Sequence, residues 1–349
     1  MLSNTVYFFN DFSLNEMENK MEINLENEME KNKNNRYVNH LVKSNIFSLS
    51  ELKNANKFRN LNTNTNFRYY IFHSYEHLKI AEIGSVNLDP AIVKSNATQF
   101  LLTFKKRELI YLDSYLKTLS TSKKYIFELI EFYRYLLKSI DLLVCNNLIH
   151  NNIHFNTIVV DSVGDRPILT NFMYSIDLSN KGMDWEQYFI LKKMDMFCPI
   201  EFYLLQYQLT NKLSSLSLYN IETVIKQFIK EHTVLNSFSK EKEKLVEDGL
   251  KYFVRYTNKS FNENIQDMLK YYWTLDNYAL SICYLEILVG IHKTVKMNNK
   301  FIIYFMKLLV NCISLDPSKR LSPEYSLKSF DTMLKQIEVN DFKQLIDLL

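Results

Sequence analysis

LIHNNIHFNTIVVDSVGDRPILTNFMYSID is the stretch from Leu148 to Asp177, and its pattern decides the fold class of the chain. Three β-branched residues, Ile158 to Val160, form a short apolar run that predicts a buried strand. The polar residues Ser162 to Asp165 include a glycine and predict a turn. Pro167 to Thr170 predict a second strand, so the stretch has the pattern of two strands joined by a turn.

Helices are predicted on both sides of this strand pair. Apolar residues recur at helical spacing from Ile126 to Val144, which predicts a long helix leading into the pair. A second apolar run extends from Tyr278 to Ile291. It is shorter than the roughly 18–20 residues that a membrane span needs, and Glu286 interrupts it. We therefore expect a buried core helix there.

The composition limits the class of protein. The 349 residues suffice for one large bilobal unit or two domains, and a 47% hydrophobic content with 24 Phe and 23 Tyr allows a large core. Only 5 Gly and 5 Pro occur, which favours a mainly helical protein. A net charge of +3 is too weak to indicate a nucleic-acid or membrane surface, so we expect neither as a partner.

The cysteines and histidines indicate no metal site. The four cysteines lie in apolar surroundings without paired spacing, which predicts reduced core thiols in a reducing compartment. The start of the chain has no signal-peptide pattern, so the expected location is cytoplasmic. His150 and His154 are the one histidine pair with metal-ligand spacing, and on a loop we expect them to be structural.

The stretch resembles the catalytic loop and metal loop of eukaryotic-type protein kinases, where His-Arg-Asp leads to Asn and then to Asp-Phe-Gly. On that pattern His150 is the kept histidine, and Asn152 occupies the position of the catalytic aspartate. Thr157 occupies the position of the metal-binding asparagine. Asn171-Phe172-Met173 replaces Asp-Phe-Gly.

Three later segments extend the resemblance, which covers the chain from about Phe67 onward. Pro199-Ile200-Glu201 is similar to the Ala-Pro-Glu segment that closes a kinase activation loop. Asp276 to Ser281 resembles the start of the central buried helix. Leu315 to Ser322 resembles the late segment Asp-Pro-x-x-Arg. Four ordered matches are more specific than any one of them alone.

The resemblance implies structural roles for several of these residues. In kinases the glutamate of Ala-Pro-Glu pairs with the late arginine, here Glu201 and Arg320. The aspartate of the central helix, here Asp276, receives backbone N–H groups of the catalytic loop. His150 and Phe172 would stack in the hydrophobic spine.

The positions that carry chemistry in kinases are changed. Phosphoryl transfer needs a carboxylate near the attacking hydroxyl and anionic or amide ligands for Mg²⁺. Asn152 cannot accept a proton at neutral pH, and Asn171 offers only a neutral carbonyl oxygen to a metal. Thr157 offers a hydroxyl in place of an amide. His154 replaces the lysine near the transferred phosphate, and Asn151 replaces the arginine that binds a phosphorylated activation loop.

The segment before the catalytic loop resembles a nucleotide-binding lobe only weakly. Strands are predicted from Phe67 to Phe72 and from Gln99 to Phe104. Thr103 to Lys106 would then form the hinge between lobes, with Thr103 a candidate contact for the nucleotide.

The phosphate-binding parts of that lobe are not recognisable. The capping pattern at Ser48 predicts a helix to Leu61, and Glu51 is a candidate for the ion-pairing glutamate. Lys43 is the nearest candidate for the strand lysine. The first glycine is Gly84, which lies past the position of a glycine-rich phosphate loop.

The resemblance implies an α+β, bilobal, protein-kinase-like fold with a reduced β-containing N-lobe and a mainly α-helical C-lobe. Residues 1–35 are expected to be a variable, partly disordered segment, 36–104 the degenerate N-lobe and 105–349 the C-lobe. The link from Glu201 to Asp276 is far longer than in kinases, which predicts a helical insertion at 210–265. The helical patterns in it run from Ile221 to Phe228 and from Leu245 to Tyr256.

A similarly long link occurs in kinase-like proteins of large DNA viruses. The resemblance therefore favours a viral source, with a location in the host cytoplasm or in a virion.

Three functional hypotheses follow. The first is a pseudokinase, without phosphotransferase activity, that acts as a scaffold or regulator of protein partners through its insertion and its N-terminal segment. The second is a divergent active serine/threonine kinase, which alone would require ATP and Mg²⁺. The third is a small-molecule kinase of related fold, and the pair Glu201 and Arg320 favours the protein-kinase branch over it.

Overall fold

The computed structural model describes residues 37–64, 69–71, 73–78, 99–161, 166–180, 182–237, 242–295 and 299–348. They form an α+β fold that is mainly helical with small sheets, so the expected α+β class is confirmed. The N-terminal segment 1–35, Gly84 and the turn Ser162 to Asp165 lie outside the described residues.

The chain divides into two compact units. One consists of Met1–Leu112, described from Tyr37 onward, together with Asn156–Met173. The other consists of Asp113–Phe155 and Tyr174–Leu349. The strand pair that follows His150 to Phe155, the catalytic-loop stretch, thus groups with the N-terminal residues, although the sequence predicts a place for it within 105–349.

The first unit holds two sheets. One is antiparallel with the order β1-β4-β3, formed by β1 (Tyr37–Lys43), β3 (Ser74–Leu78) and β4 (Gln99–Lys105). The other has the order β2-β8-β7-β5, formed by β2 (Tyr69–Tyr70), β5 (Leu109–Tyr111), β7 (Ile158–Asp161) and β8 (Arg166–Thr170). β2 is parallel to β8, and the other pairs are antiparallel. The predicted strand pair is therefore present as β7 and β8.

The one helix described in this unit, α1 (Ile46–Asn64), begins earlier than its sequence suggests. Its cap is Asn45, whose side-chain oxygen accepts hydrogen bonds from the backbone N–H groups of Phe47 and Ser48, both at 2.9 Å. The Ser48 hydroxyl in turn accepts from the backbone N–H of Asn45 at 2.9 Å. This is a capping box with Asn in place of Ser or Thr, so Ser48 lies inside the helix and not at its start.

The core of the first unit joins α1 to both sheets. Ala55 of α1 packs in one cluster with Phe100 and Leu102 of β4 and with Val159 of β7. Alternate residues along β4 are buried, as expected for a strand with one face against the core.

The second unit is built from helices and one short antiparallel pair, β6 (Leu148–Ile149) with β9 (Ile176–Asp177). Its described helices are α2 (Leu112–Thr118), α3 (Ser122–Cys145), α4 (Trp185–Leu191), α5 (Ile200–Thr210), α6 (Leu218–Glu231), α7 (Thr233–Ser237), α8 (Lys242–Phe253), α9 (Phe261–Leu269), α10 (Leu275–Val295), α11 (Lys300–Cys312), α12 (Pro323–Gln336) and α13 (Val339–Leu348). The α2 helix begins at the last residue of the first unit.

The core of the second unit is α10. Every residue from Leu275 to Leu285 is buried, because this helix is apolar on all sides and must be surrounded by other elements. The window Tyr272–Ile291 is long and apolar enough, by length and composition, to cross a membrane, but 78% of it is buried within the protein. The buried core helix predicted from the apolar run Tyr278 to Ile291 is therefore present.

The segment 210–265 is helical, as α6 to α9 show, and these helices pack against α5 and α10. Ile221 and Phe228 of α6 are buried, and the ring of His232 lies 3.3 Å from the Tyr278 hydroxyl of α10. The Asn264 side chain of α9 donates to the side chain of Gln208 at 3.1 Å. The helices expected in this segment are therefore present, and each of these contacts buries one side of them against the rest of the second unit.

One of the four cysteines also departs from expectation. Cys198, Cys283 and Cys312 are buried, and burial raises the pKa of each thiol. Buried thiols of raised pKa are poor nucleophiles, in keeping with a structural role. Cys145, at the end of α3, is exposed.

Candidate functional site

The catalytic-loop stretch of the second unit is anchored to the core helix by a buried carboxylate. The Asp276 carboxylate accepts hydrogen bonds from the backbone N–H groups of His150 at 2.7 Å and of Asn151 at 2.8 Å. Burial raises the pKa of Asp276 to about 6, and the two N–H groups oppose that rise. The two donors follow β6 directly, so the carboxylate fixes the backbone where the loop leaves its strand.

Asn151 occupies an uncommon backbone conformation. Its φ is 53°, in the left-handed region that asparagine tolerates better than most residues. Its side-chain amide donates to the Tyr188 hydroxyl, which donates to the backbone carbonyl of Tyr174 at 3.0 Å. A buried chain of hydrogen bonds thus joins the catalytic-loop stretch to α4 and to the residue after the Asn171-Phe172-Met173 segment.

Lys192 is a buried cation beside the same loop. The residue is 3% exposed, and its ammonium donates to the backbone carbonyl of Asn151 at 2.8 Å. The ammonium also lies 4.2 Å from the centre of the Tyr174 ring, a cation–π contact. Lys192 is the residue directly after α4, so it ties the end of that helix to the loop.

Asn152 and His154, two candidate catalytic residues, are partly buried and line the same small cavity. The cavity measures about 10 Å³ and is also lined by Lys192, Asp195 and Phe197. This volume holds about one water molecule. The His154 ring lies 5.8 Å from the ring of Phe197. The structure therefore brings Asn152, His154 and a buried ammonium together around a space of water size.

A buried ion pair connects two distant segments of the second unit. The two terminal nitrogens of Arg320 lie 2.6 and 2.9 Å from the two carboxylate oxygens of Glu201. The two side chains are 0% and 1% exposed. Arg320 also donates to the backbone carbonyl of Ser314 at 2.7 Å and lies 4.9 Å from the Tyr278 ring centre. The contact expected between Glu201 and Arg320 is present.

In the first unit, Thr157 and Asn171 lie at the same end of the antiparallel β7–β8 pair, the end opposite to its turn. Thr157 immediately precedes β7 and is 1% exposed, and its backbone carbonyl accepts a hydrogen bond from the Thr170 hydroxyl at 3.2 Å. Asn171 follows β8 with a φ of 59°, again in the left-handed region that asparagine tolerates.

Phe172 is a core residue of the first unit. It is fully buried, its ring centre lies 4.2 Å from that of Phe58, and its backbone N–H donates to the carboxylate of Glu51. Burial raises the pKa of Glu51 to about 7, and the hydrogen bond from Phe172 opposes that rise. Glu51 is thus placed beside the segment that replaces Asp-Phe-Gly.

Of the two remaining candidate nucleotide contacts, the structure describes the surroundings of Thr103 only. Thr103 was expected in a hinge, but it lies within β4, paired with Asn39 on one side and Ser74 on the other. Its backbone carbonyl accepts a hydrogen bond from the N–H of His73 at 2.6 Å, so the sheet uses this group. Lys43 is the last residue of β1, and its side chain lies outside the described part of the structure.

Sequence reasoning missed Lys192 and Tyr188 as members of the site. Each lies in a run with exposed apolar neighbours, Ile190 and Leu191, and nothing in that local pattern marks Lys192 as the buried side chain. The one available signal lay in the kinase resemblance, in which Asn151 occupies the position of an arginine.

Across the ranges that the structure describes, no group of three or more His, Cys, Asp and Glu side chains is arranged to hold a metal ion. No protein-family model and no curated protein matches this chain.

Proposed function

We propose that this chain is a protein-kinase-like pseudokinase that acts through protein–protein contacts and does not transfer phosphate. The observation that carries the proposal is the contrast at one loop. Asp276 holds the backbone of His150 and Asn151, as the kinase resemblance implies, while the adjacent catalytic position is the amide of Asn152. The chain thus keeps the residue that holds the loop in place and replaces the residue that would react. Such a combination suits a protein that binds partners without catalysis.

The Glu201–Arg320 pair supports the same proposal. A buried pair broken on one side costs about 3–5 kcal/mol, so both partners are needed for stability whether or not the chain has activity. The catalytic positions carry no such requirement, because an amide has the shape of a carboxylate and keeps its hydrogen bonds as an acceptor.

The residues present do not fit a magnesium ion. Mg²⁺ in phosphoryl transfer is held by carboxylates with an amide or hydroxyl and by the phosphates themselves. Here Asn171 offers only a neutral oxygen, and Thr157 offers a hydroxyl in place of an amide. We therefore assign no metal-dependent step to this chain.

A radiolabelled ATP assay on the purified protein, in Mg²⁺ and with a generic protein substrate, tests the proposal. We expect no transfer above that of an Asn152→Ala control, and no rise in melting temperature with ATP and Mg²⁺. Transfer by the parent that the control abolishes would contradict the proposal.

The second candidate is a divergent serine/threonine kinase that transfers the ATP γ-phosphate. The observation that favours it is the placement of His154 beside Asn152 at one small cavity, because an imidazole is able to accept the proton that an amide is not. His154→Ala in the same assay separates the two candidates: this variant abolishes activity only if His154 is the base.

A further inference from the structure

A row of aromatic rings reaches the surface of the second unit just before α10. Tyr271, Tyr272 and Trp273 follow one another in the chain, and each is partly exposed. The next two residues, Thr274 and Leu275, are buried. The ring centre of Trp273 lies 5.8 Å from that of Tyr271 and 5.4 Å from that of Tyr272. The three rings therefore form one apolar row that the second unit leaves partly uncovered.

A stacked cation extends this row. The Arg255 guanidinium lies 3.9 Å from the centre of the Tyr252 ring, and its Nε donates to the backbone carbonyl of Tyr252 at 3.0 Å. The ring centre of Tyr252 is in turn 6.2 Å from that of Tyr271. We call Tyr252, Arg255 and Tyr271 to Trp273 the aromatic ridge. Tyrosine, tryptophan and arginine are the residues most enriched at the energetic centres of protein interfaces, so the composition of the ridge suits a contact surface.

The charges exposed at the aromatic ridge are positive. Arg255 is exposed, and no carboxylate of the described residues forms an ion pair with it. Lys270, directly before Tyr271, has a side chain that is 65% exposed and lies 2.8 Å from the carboxylate of Asp267, whose side chain is only 5% exposed. The solvent therefore meets the ammonium and not the carboxylate of this pair. Apolar rings flanked by cations suit an acidic segment that also carries apolar side chains.

The chain itself contains such a segment, in the part that lies outside the described residues. Leu14 to Glu30 holds six glutamates against one lysine. Four apolar residues recur at every fourth position, a spacing that brings side chains to one face of a helix; they are Met17, Met21, Leu25 and Met29. We call these four residues the apolar stripe. Three of them are methionines, whose sulfur makes favourable contacts with aromatic rings.

We infer that residues 14–30 of this chain dock on the aromatic ridge. The apolar stripe covers the rings of Tyr271 to Trp273, and the glutamates beside the stripe pair with Arg255 and Lys270. Covering the rings removes apolar surface from water, which supplies affinity, and the ion pairs fix the register of the segment. The inference goes beyond the proposed function and holds whether or not the chain transfers phosphate.

Fluorescence polarisation with a labelled peptide of residues 14–30 tests the inference. The receptor chain is the full chain with serine in place of each residue of the apolar stripe, so that its own segment does not compete. This receptor chain should bind the peptide saturably. The parent should bind it at least about tenfold more weakly, because its attached segment has a high effective concentration at the ridge. Arg255→Glu in the receptor chain should weaken binding at least about tenfold, and Trp273→Ala should abolish it.

Two controls match these changes. Tyr325→Ala in the receptor chain removes an exposed aromatic ring of α12 and should leave peptide binding unchanged. Serine in place of four asparagines of the parent's segment should leave the weak binding of the parent unchanged; they are Asn15, Asn19, Asn24 and Asn27.

A peptide with lysine for each glutamate should bind the Arg255→Glu chain more tightly than the receptor chain. Melting temperatures close to that of the parent establish that the variants are folded, and the exposed Arg255 tests the ridge even if Trp273→Ala does not fold. No saturable binding by the receptor chain, equal affinity of parent and receptor chain, or unchanged affinity in Arg255→Glu would each overturn the inference.

Discussion

At the scale of single residues, Lys192 is the least expected member of the site. A lysine is almost never fully buried unless its charge has partners, and here the partners are the Asn151 carbonyl and the ring of Tyr174. In the kinases that this chain resembles, the position of Asn151 carries an arginine, which binds the phosphorylated activation loop. Here Lys192 holds the loop through the Asn151 carbonyl.

Lys192→Met should destabilise the second unit by about 1–3 kcal/mol, because it leaves the buried Asn151 carbonyl without its charged donor. Urea unfolding of the variant measures this loss. Lys193→Met is the matched control, because Lys193 is the exposed neighbour and its replacement should change the free energy of unfolding by less than about 0.5 kcal/mol. Equal stability of the two variants would show that the Lys192 contacts contribute nothing.

The buried carboxyl of Glu51 should make the stability of the first unit depend on pH. Its pKa is raised in the folded state from its ordinary value of 4.5 to about 7, so the folded state holds the proton more tightly than the unfolded state. The stability that this proton contributes is therefore full below pH 4.5 and is lost as the pH rises through 7, by up to about 3 kcal/mol.

Glu51→Gln carries no titrating group and keeps an oxygen for the N–H of Phe172. The difference in unfolding free energy between parent and variant should therefore change between pH 4.5 and 7, with the parent losing stability relative to the variant. Denaturant titrations at a series of pH values measure it. A constant difference across that range would show that the carboxyl is not shifted.

At the scale of elements, the Glu201–Arg320 pair joins the first turn of α5 to the segment just before α12. Arg320→Ala should lower the free energy of unfolding by about 3–5 kcal/mol, because it leaves a carboxylate buried without a counter-charge. Lys328→Ala removes an exposed pair with Glu324 and should cost less than about 1 kcal/mol. Chemical denaturation compares the two, and a similar cost for both would mean that the buried pair is not maintained in solution.

The helices α6 to α9 are predicted to be indispensable to the second unit. Deleting 210–265 removes the His232 contact with α10 and the Asn264 contact with α5, and it exposes the apolar faces on which α6 packs. The deletion should abolish cooperative thermal unfolding as followed by circular dichroism. Tyr219→Ala, an exposed side chain of α6, should melt like the parent. A deletion variant with a sharp transition would show that the rest of the second unit folds without these helices.

At the scale of the whole molecule, the altered catalytic positions are divided between the two compact units. Asn152 belongs to one, and Asn171 and Thr157 belong to the other. Restoring both carboxylates with Asn152→Asp and Asn171→Asp should not restore phosphotransfer, since Thr157 remains buried and no glycine precedes Gly84. The radiolabelled ATP assay measures this, with the parent as control. Robust transfer by the double variant would show that the absence of these two carboxylates alone prevents phosphotransfer in the parent.

The sequence alone was enough for the elements whose signal is local. The helical spacing from Ile126 to Val144 predicts most of α3, and the β-branched run at Ile158 predicts β7, because periodicity and propensity act within one element. The apolar composition around Tyr278 likewise predicts a buried helix, since a helix that is apolar on all sides has to be surrounded. The predicted start of α1 was wrong. Ser48 and Glu51 have the spacing of a capping box, but the residue that caps the helix is Asn45.

Only the tertiary structure decided which polar side chains are buried and what they contact. Lys192 and the Asn151 carbonyl are 41 residues apart, and Glu201 and Arg320 are 119 residues apart. The resemblance predicts the second contact, but no local pattern predicts either. The same holds for α6 to α9, whose apolar faces mark them as helices without indicating what they cover. Burial depends on neighbours that are distant in the chain, and it therefore follows from the packing of the elements once each has formed.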